Sequence, residues 1–264
     1  MRKTSRMARM SDSESYKEKK AFFDRLLTVY GRNTVYEALC MDDVNPVRLH
    51  LADSNKPAPL LDQILELAKQ KGADVAYHSK TELSRISKNS QQDQGVALDI
   101  QALHFQNADE ALAEADEKAE YIALEGVTNP QNLGMIIRSV CASGIGGLIL
   151  PRKGCAKLDP LVIKASSGTL FRAPLLRCGE LPTTLKRARD LGFEIIALDL
   201  AAEHEFSALP DFDKTIFVLG NESEGISQQI KDLCTLKVKI PMHNDVESLN
   251  VAVTASLIAL RKLL

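Results

Sequence analysis

Apolar residues along the chain fall in short runs whose spacing switches between a period near two and a period near 3.6, and this switching lays out the expected elements. The stretch FFDRLLTVYGRNTVYEALC, from Phe22 to Cys40, reads as helical segments broken at Gly31, with Asn33 as the N-cap of the second. VRLHLAD then reads as a strand, LLDQILELAKQKG as a helix, DVAYHS as a strand and TELSRIS as a short helix. A polar loop, NSQQDQ, leads into the strand GVALDI. Residues 25–101 therefore form a small α/β unit. The Ala- and Glu-rich stretch HFQNADEALAEADEKAE reads as a linker with helical character, placed at 102–118.

From Tyr121 the alternation restarts and defines a second unit, 119–264. Strand YIALEGV is followed by a helix from Asn132 to about Gly144, strand GLILP, helix LVIKASSGTL, strand PLLRC, helix TTLKRARDLG and strand FEIIALDL. Strand TIFVLG, helix GISQQIKDLC, strand KVKIPM and a terminal helix from about Ser248 complete it. Strands alternating with helices predict a parallel sheet covered on both faces, with ligands bound beyond the carboxyl ends of its strands. Three loops occupy such positions: EGVTNPQNLG, LGNESEG and PMHNDVESLN. They bring Asn132, Arg138, Glu222, Ser248 and Asn250 toward one edge of the sheet. Gly134, Gly220 and Gly225 offer a ligand close access to backbone.

Arg138 interrupts an apolar run. On a helix its neighbours one turn away are Gly134, Cys141 and Ala142, none of them an acid, so its partner comes from elsewhere. Three readings stay open for such a guanidinium: a surface side chain that snorkels, an ion pair to a distant acid, or a receptor for an anionic ligand.

Composition narrows the class without choosing among these. At 264 residues, 45% hydrophobic and 26% charged, the chain suits one large or two ordinary domains with a real core. A net charge of −2 gives no global pull on nucleic acid, so any RNA contact must use local patches such as Arg32, Lys153 and Lys157. The five cysteines form no C-x-x-C pair and the five histidines no H-x-x-x-H pair, which argues for a reducing compartment and against a metal site. No apolar run is long enough to span a membrane. Residues 1–24 are expected to be a disordered basic and polar arm. They lack the apolar core of a secretory signal, and Asp12 and Glu14 weigh against a transit peptide.

Familiar nucleotide motifs fail. GIGG at 144–147 follows a helix and precedes a strand, the reverse of a dinucleotide fingerprint, and GNESEGIS lacks the Lys and hydroxyl of a phosphate loop. There is no G-x-S-x-G elbow. Taken as an ordered set, however, NPQNLGMIIRS, FVLGNESEGIS and IPMHNDVESLNVAV resemble the three motifs of the SpoU or TrmH-like RNA ribose 2′-O-methyltransferases, across nearly all of Tyr121 to Leu264. The segment from YGRNTVYEAL to QGVAL resembles the small substrate-binding domain that many bacterial members carry.

The resemblance implies an α/β parallel sheet whose C-terminal segment makes a deep trefoil knot, a homodimer, and a cytoplasmic enzyme that acts on structured RNA, ribosomal rather than transfer RNA. The alternatives are a transfer RNA enzyme and a catalytically weak RNA-binding or ribosome-assembly protein. It implies S-adenosyl-L-methionine as cofactor, held at Leu219, Gly220, Ile240, Met242, Ser248 and Leu249. Asn132 and Arg138 match catalytic positions, and Glu222, Ser248 and Asn250 supporting ones. Because a guanidinium stays protonated below about pH 12, Arg138 is expected to grip phosphate and stabilise developing charge rather than serve as a base. Glu222 is the alternative, structural partner for Arg138. Ser223 stands where the second motif commonly has Gly, so backbone approach there is expected to be tighter. The apolar residues of VAVTASLIALRKLL occupy more than one helix face, which independently suggests a partner surface.

Overall fold

A computed structural model of the protein describes residues 26–42, 44–101, 105–221, 223–244 and 246–263; the expected arm at 1–24 and Glu222 lie outside the described residues. The first sheet has four strands in the order β1-β4-β2-β3: β1 (Leu26–Tyr30), β2 (Asn45–Ala52), β3 (Asp74–His78) and β4 (Val96–Gln101). β4 runs antiparallel to β1 and β2, and β3 runs parallel to β2. Helices α1 (Arg32–Leu39), α2 (Pro59–Gln70) and α3 (Lys80–Ser87) connect them.

Leu26–Tyr30 corrects the helical expectation for this stretch. LLTVY buries Leu27 and Val29 in strand alternation and pairs along its whole length with β4. Thr, Val and Tyr favour a pleated surface, and a run this short does not reveal its period without a partner strand. Asn33 is likewise not the cap of α1: the helix starts after Gly31, whose φ of +89° turns the chain out of the strand. Across the sheet, Thr28 Oγ1 donates to Asp99 Oδ1 at 2.6 Å. His50 lies 3.0 Å from Asp99 Oδ2 and 2.9 Å from His78. Burial alone would raise the Asp99 carboxyl, but the His50 and Thr28 hydrogen bonds outweigh it and hold the group below the ordinary carboxylate range.

The second sheet contains eight strands, all parallel, in the order β10-β12-β9-β11-β6-β7-β8-β5. They are β5 (Phe105–Asn107), β6 (Ala119–Leu124), β7 (Gly147–Pro151), β8 (Leu175–Cys178), β9 (Glu194–Leu198), β10 (His204–Glu205), β11 (Lys214–Leu219) and β12 (Leu236–Lys239). The helices are α4 (Ala108–Ala113), α5 (Pro130–Ala142), α6 (Pro160–Ala165), α7 (Leu181–Asp190), α8 (Gln228–Lys231) and α9 (Val251–Leu260). Within the stretch expected as a linker, β5 thus adds an edge strand to this sheet before α4 begins.

Strands buried on both faces read as near-continuous apolar runs, and β11, KTIFVL, divides its side chains between two cores. Phe217 and Leu219 join the side that holds α5, α6 and α9, whereas Ile216 and Val218 join the side that holds α4, α7 and α8. Two expected helices are shorter than their sequences suggest. LVIKASSGTL breaks after Ala165, where Ser167 and Gly168 take φ of +51° and +75°, and GISQQIKDLC is helical only over Gln228–Lys231.

Strand order reverses between β6 and β11, so the crevice at their carboxyl ends is the place where this architecture opens a ligand site. At the opposite end, Arg261 closes the last helix. Its guanidinium pairs with Glu120 at the start of β6 and lies 4.7 Å over the Phe217 ring, while Lys262 reaches the same carboxylate at 2.8 Å. Arg261→Ala removes both the cation–π contact and the better-buried arm of this network, and should lower stability by about 2 kcal/mol. Urea unfolding measures this, and an unchanged midpoint would contradict it.

Candidate active site

Helix α5 begins where EGVTNPQ supplies its own punctuation. Asn129 caps the helix, its Oδ1 accepting from the amides of Gln131 and Asn132 at 2.8 and 3.4 Å, and Pro130 occupies the first helical position. Helix α9 begins in the same way. Asn250 caps it, accepting from the Ala252 amide at 2.8 Å. The two helix starts meet: Asn250 Nδ2 donates to Asn132 Oδ1 at 3.0 Å, across a separation of 118 residues. Asn132 is buried, at 6% exposure, whereas Asn250 is exposed, so the amide pair is shielded from water on its acceptor side. About two turns further along, Ser139 and Ser256 continue the α5–α9 seam at 2.7 Å.

Beside the start of α9 lies a cavity of about 290 Å³. Leu219 and Gly220 at the end of β11, Ile240 and Met242 after β12, and Ser248 and Leu249 before α9 all line it. The six positions singled out for the cofactor therefore converge on one space. Gly220 shapes it. A methyl group at this position would overlap the carbonyl of Gly225 and come within 2.5 Å of the Ile226 nitrogen, so the loop can fold back on the strand only if residue 220 has no side chain. Asn221 then folds the loop on itself, its Oδ1 accepting from the amides of Ser223 and Glu224 at 2.9 and 2.6 Å. Ser223 has no left-handed φ, and the Ser in place of Gly places no demand on the backbone there.

The loop after β6 does not line the cavity, and a strand end outside the three expected loops does. Asp199, at the end of β9, lines the cavity with Leu198 and Leu200. Its carboxylate accepts from the Ala201 amide at 3.0 Å and pairs with Lys231 at 3.1 Å. The amide bond, aided by Lys231, holds it below the usual carboxylate range against the opposing effect of burial. The available signal was simple: an Asp closing an apolar run, ALDL, at another carboxyl end. Glu125 ties two loops together, accepting from the Ser227 amide at 2.7 Å.

Not every expected residue reaches this cavity. Arg138 is exposed on α5, and its Nη1 donates to Ser167 Oγ at 3.2 Å, so its hydrogen-bond partner here is a hydroxyl from the turn after α6. Gly134 does not serve ligand access. A methyl there would overlap Ala165 Cβ and come within 2.8 Å of the Val162 carbonyl oxygen, so this glycine lets α6 pack against α5. Among the described residues no group of His, Cys, Asp and Glu could hold a metal ion, and no helix is long and apolar enough to cross a membrane.

A parallel α/β sheet with a cavity beyond the carboxyl ends of β9, β11 and β12, and a polar pair joining two helix starts beside it, defines the class of site. The chain belongs to the SpoU rRNA methylase family, which it matches over residues 119–260, and residues 28–106 match the RNA 2′-O ribose methyltransferase substrate-binding domain. It is an RNA methyltransferase. Among its relatives is YacO of Bacillus subtilis (strain 168), named for the TrmH family of tRNA/rRNA methyltransferases; it is 30% identical over 87% of this chain and 92% of its own. An uncharacterized tRNA/rRNA methyltransferase of Mycolicibacterium gilvum is also 30% identical, over 87% of this chain and 74% of its own. The fold is shared with the AdoMet-bound rRNA methyltransferase of Sinorhizobium meliloti, at a TM-score of 0.62 and 21% identity over 95% and 91% of the two chains. It is shared as well with AviRb of Streptomyces viridochromogenes in complex with AdoMet, at 0.64 and 22% over 94% and 93%.

The amide pair can be dissected by substitution. Asn250→Ala removes both the α9 cap and the bond to Asn132 and should cost about 2 kcal/mol, whereas Asn250→Asp keeps the capping acceptor and should cost less in thermal unfolding. Equal losses would show that the cap, and not the pair, matters least.

Proposed function

We propose that this protein transfers a methyl group from S-adenosyl-L-methionine to the 2′-oxygen of a ribose in structured ribosomal RNA, that of the large subunit (23S), in the cytoplasm. The observation that carries this reading is the convergence of Leu219, Gly220, Ile240, Met242, Ser248 and Leu249 on one cavity. Its volume is near the lower end of small-molecule sites, roughly 300 Å³ and upward. Its lining also fits the cofactor's chemistry. Leu198, Leu219, Ile240 and Leu249 offer apolar walls for an adenine and a thioether, strand-end backbone can read the edge of a base, and Asp199 and Lys231 supply fixed charges of both signs. When bound, S-adenosyl-L-methionine supplies an electrophilic methyl group.

The chain's own residues then have distinct tasks. Asn250 and Asn132 hold the two helix starts in register beside the cavity, and Ser248 lines it. Arg138, exposed and cationic, grips the phosphate next to the target ribose and favours negative charge on the attacking oxygen. It need not line the cavity for this, because an RNA strand crossing α5 brings its phosphates to the guanidinium. Proton removal falls to a group other than arginine, whose acidity is too low for a base at neutral pH, and the substrate's own phosphate is suited to it.

The domain of residues 28–106 is the reason for choosing ribosomal over transfer RNA, with phosphate contacts at Arg32, Lys153 and Lys157. The C-terminal segment, which leaves β12 and returns to α9 against α5, is proposed to form a trefoil knot. Two copies are proposed to pair through α5 and α9. Met135, Val253 and Leu257 leave 42%, 48% and 40% of their surface exposed, and a second copy would cover them.

Transfer of a tritiated methyl group to purified ribosomal and transfer RNA tests the reading, with ribose positions mapped afterwards. Ribosomal RNA should accept methyl at a 2′-oxygen, and Arg138→Ala should lose about 100-fold in turnover while binding cofactor normally. Methylation of transfer RNA alone would replace the substrate, and no transfer to any RNA would leave a binding protein. Light scattering should show a dimer that Val253→Asp converts to a monomer, and a monomeric parent chain would refute the pairing.

A further inference from the structure

Arg138 is the residue on which the proposed chemistry leans, and the structure shows what orients it. α5 and α6 come into direct contact at Gly134, where no Cβ could fit between Ala165, the Val162 carbonyl and the Ser166 amide. Arg138 lies exactly four residues, one helical turn, further along the same face. Close approach at Gly134 therefore delivers the end of α6 to the guanidinium.

What arrives there is an unusual turn. Ser167 adopts a φ of +51°, a left-handed conformation that costs a serine energy, and directs its hydroxyl to Arg138 Nη1 at 3.2 Å. The turn is firmly held. Ser166 is fully buried, its hydroxyl donating to the Ile163 carbonyl at 2.9 Å, and Thr169 Oγ1 donates to the Ser166 carbonyl at 2.8 Å. Leu170 and Phe171 anchor the following residues in the core. On the other side, Gly168, at a φ of +75°, is packed so closely by Met41 of the first domain that a methyl there would overlap the Met41 Cε and lie 2.9 Å from its sulfur. A serine is thus kept in a strained conformation, in a rigid turn, with its side chain on one guanidinium.

We propose that Ser167 is a positioning residue for the methyl-transfer reaction: its hydroxyl fixes the Arg138 guanidinium in the orientation that receives the RNA phosphate. This inference rests on the role given to Arg138 above. Glycine at position 167 would relieve the strained backbone and delete the hydroxyl. Asparagine tolerates the same conformation and restores a side-chain acceptor. A residue serving only the fold and one serving the arginine therefore respond in opposite ways.

The test measures turnover and KM for RNA, cofactor affinity by calorimetry and thermal midpoint in the full-length wild-type chain and in Ser167→Gly, Ser167→Asn and Arg138→Ala. Ser167→Gly should unfold no earlier than wild type, bind cofactor equally well and lose roughly ten-fold in turnover, as expected for a lost hydrogen bond to a charged group. Ser167→Asn should recover to within about three-fold of wild type. Turnover of Ser167→Gly within two-fold of wild type, or a loss that asparagine does not restore, overturns the inference when Arg138→Ala is inactive. If Arg138→Ala is itself active, the failure lies in the role assigned to the arginine.

Discussion

A single amide–amide hydrogen bond, Asn250 to Asn132, joins the first helix after the central strand to the last helix of the chain. Each asparagine sits in the opening of a helix, where unsatisfied backbone amides make position sensitive to side-chain capping. Locking these openings together places Ser248 and Leu249 against the ends of β11 and β12, and so closes the cavity from the third side. The bond is buried on the Asn132 side and exposed on the Asn250 side, and it favours one register of α9 on α5.

Glycine sets the other limits of the site by geometry alone. Gly220 lets the loop after β11 fold back onto its strand, and Gly134 lets α6 reach α5. The first contact is backbone to backbone, and the second meets the Ala165 methyl and the Val162 and Ser166 backbone. The consequence for function is indirect: one contact gives the cavity its wall, and the other brings a hydroxyl to the arginine. The first domain relies on a different device, a chain of Thr28, Asp99, His50 and His78 that ties its four strands across one face.

The large features of this fold could be read from pattern because they arise from local periodicity. Apolar runs such as YIAL and TIFVL are strands in almost any parallel sheet, and the loops after β11 and β12 carried the motif positions that converge on the cavity. Short runs were less decisive. LLTVY took its conformation from β4, which pairs with it from 71 residues away at Thr28 and Asp99, and KASSGTL stopped being helical where a buried turn required left-handed residues.

Arg138 shows where such reading ends. Sequence alone established that this arginine stands on a helix with no acid within a turn, because helix spacing is a local property. Which group would meet it was settled by packing: the absence of a Cβ at Gly134 brings α6 into contact and with it Ser167, 29 residues onward. The same holds for Asp199, which an isolated strand end could not distinguish from any other until β9 took its place beside β11. Local periodicity specifies which elements form, but the distances between side chains on different elements depend on how those elements pack, and that exists only in the folded chain.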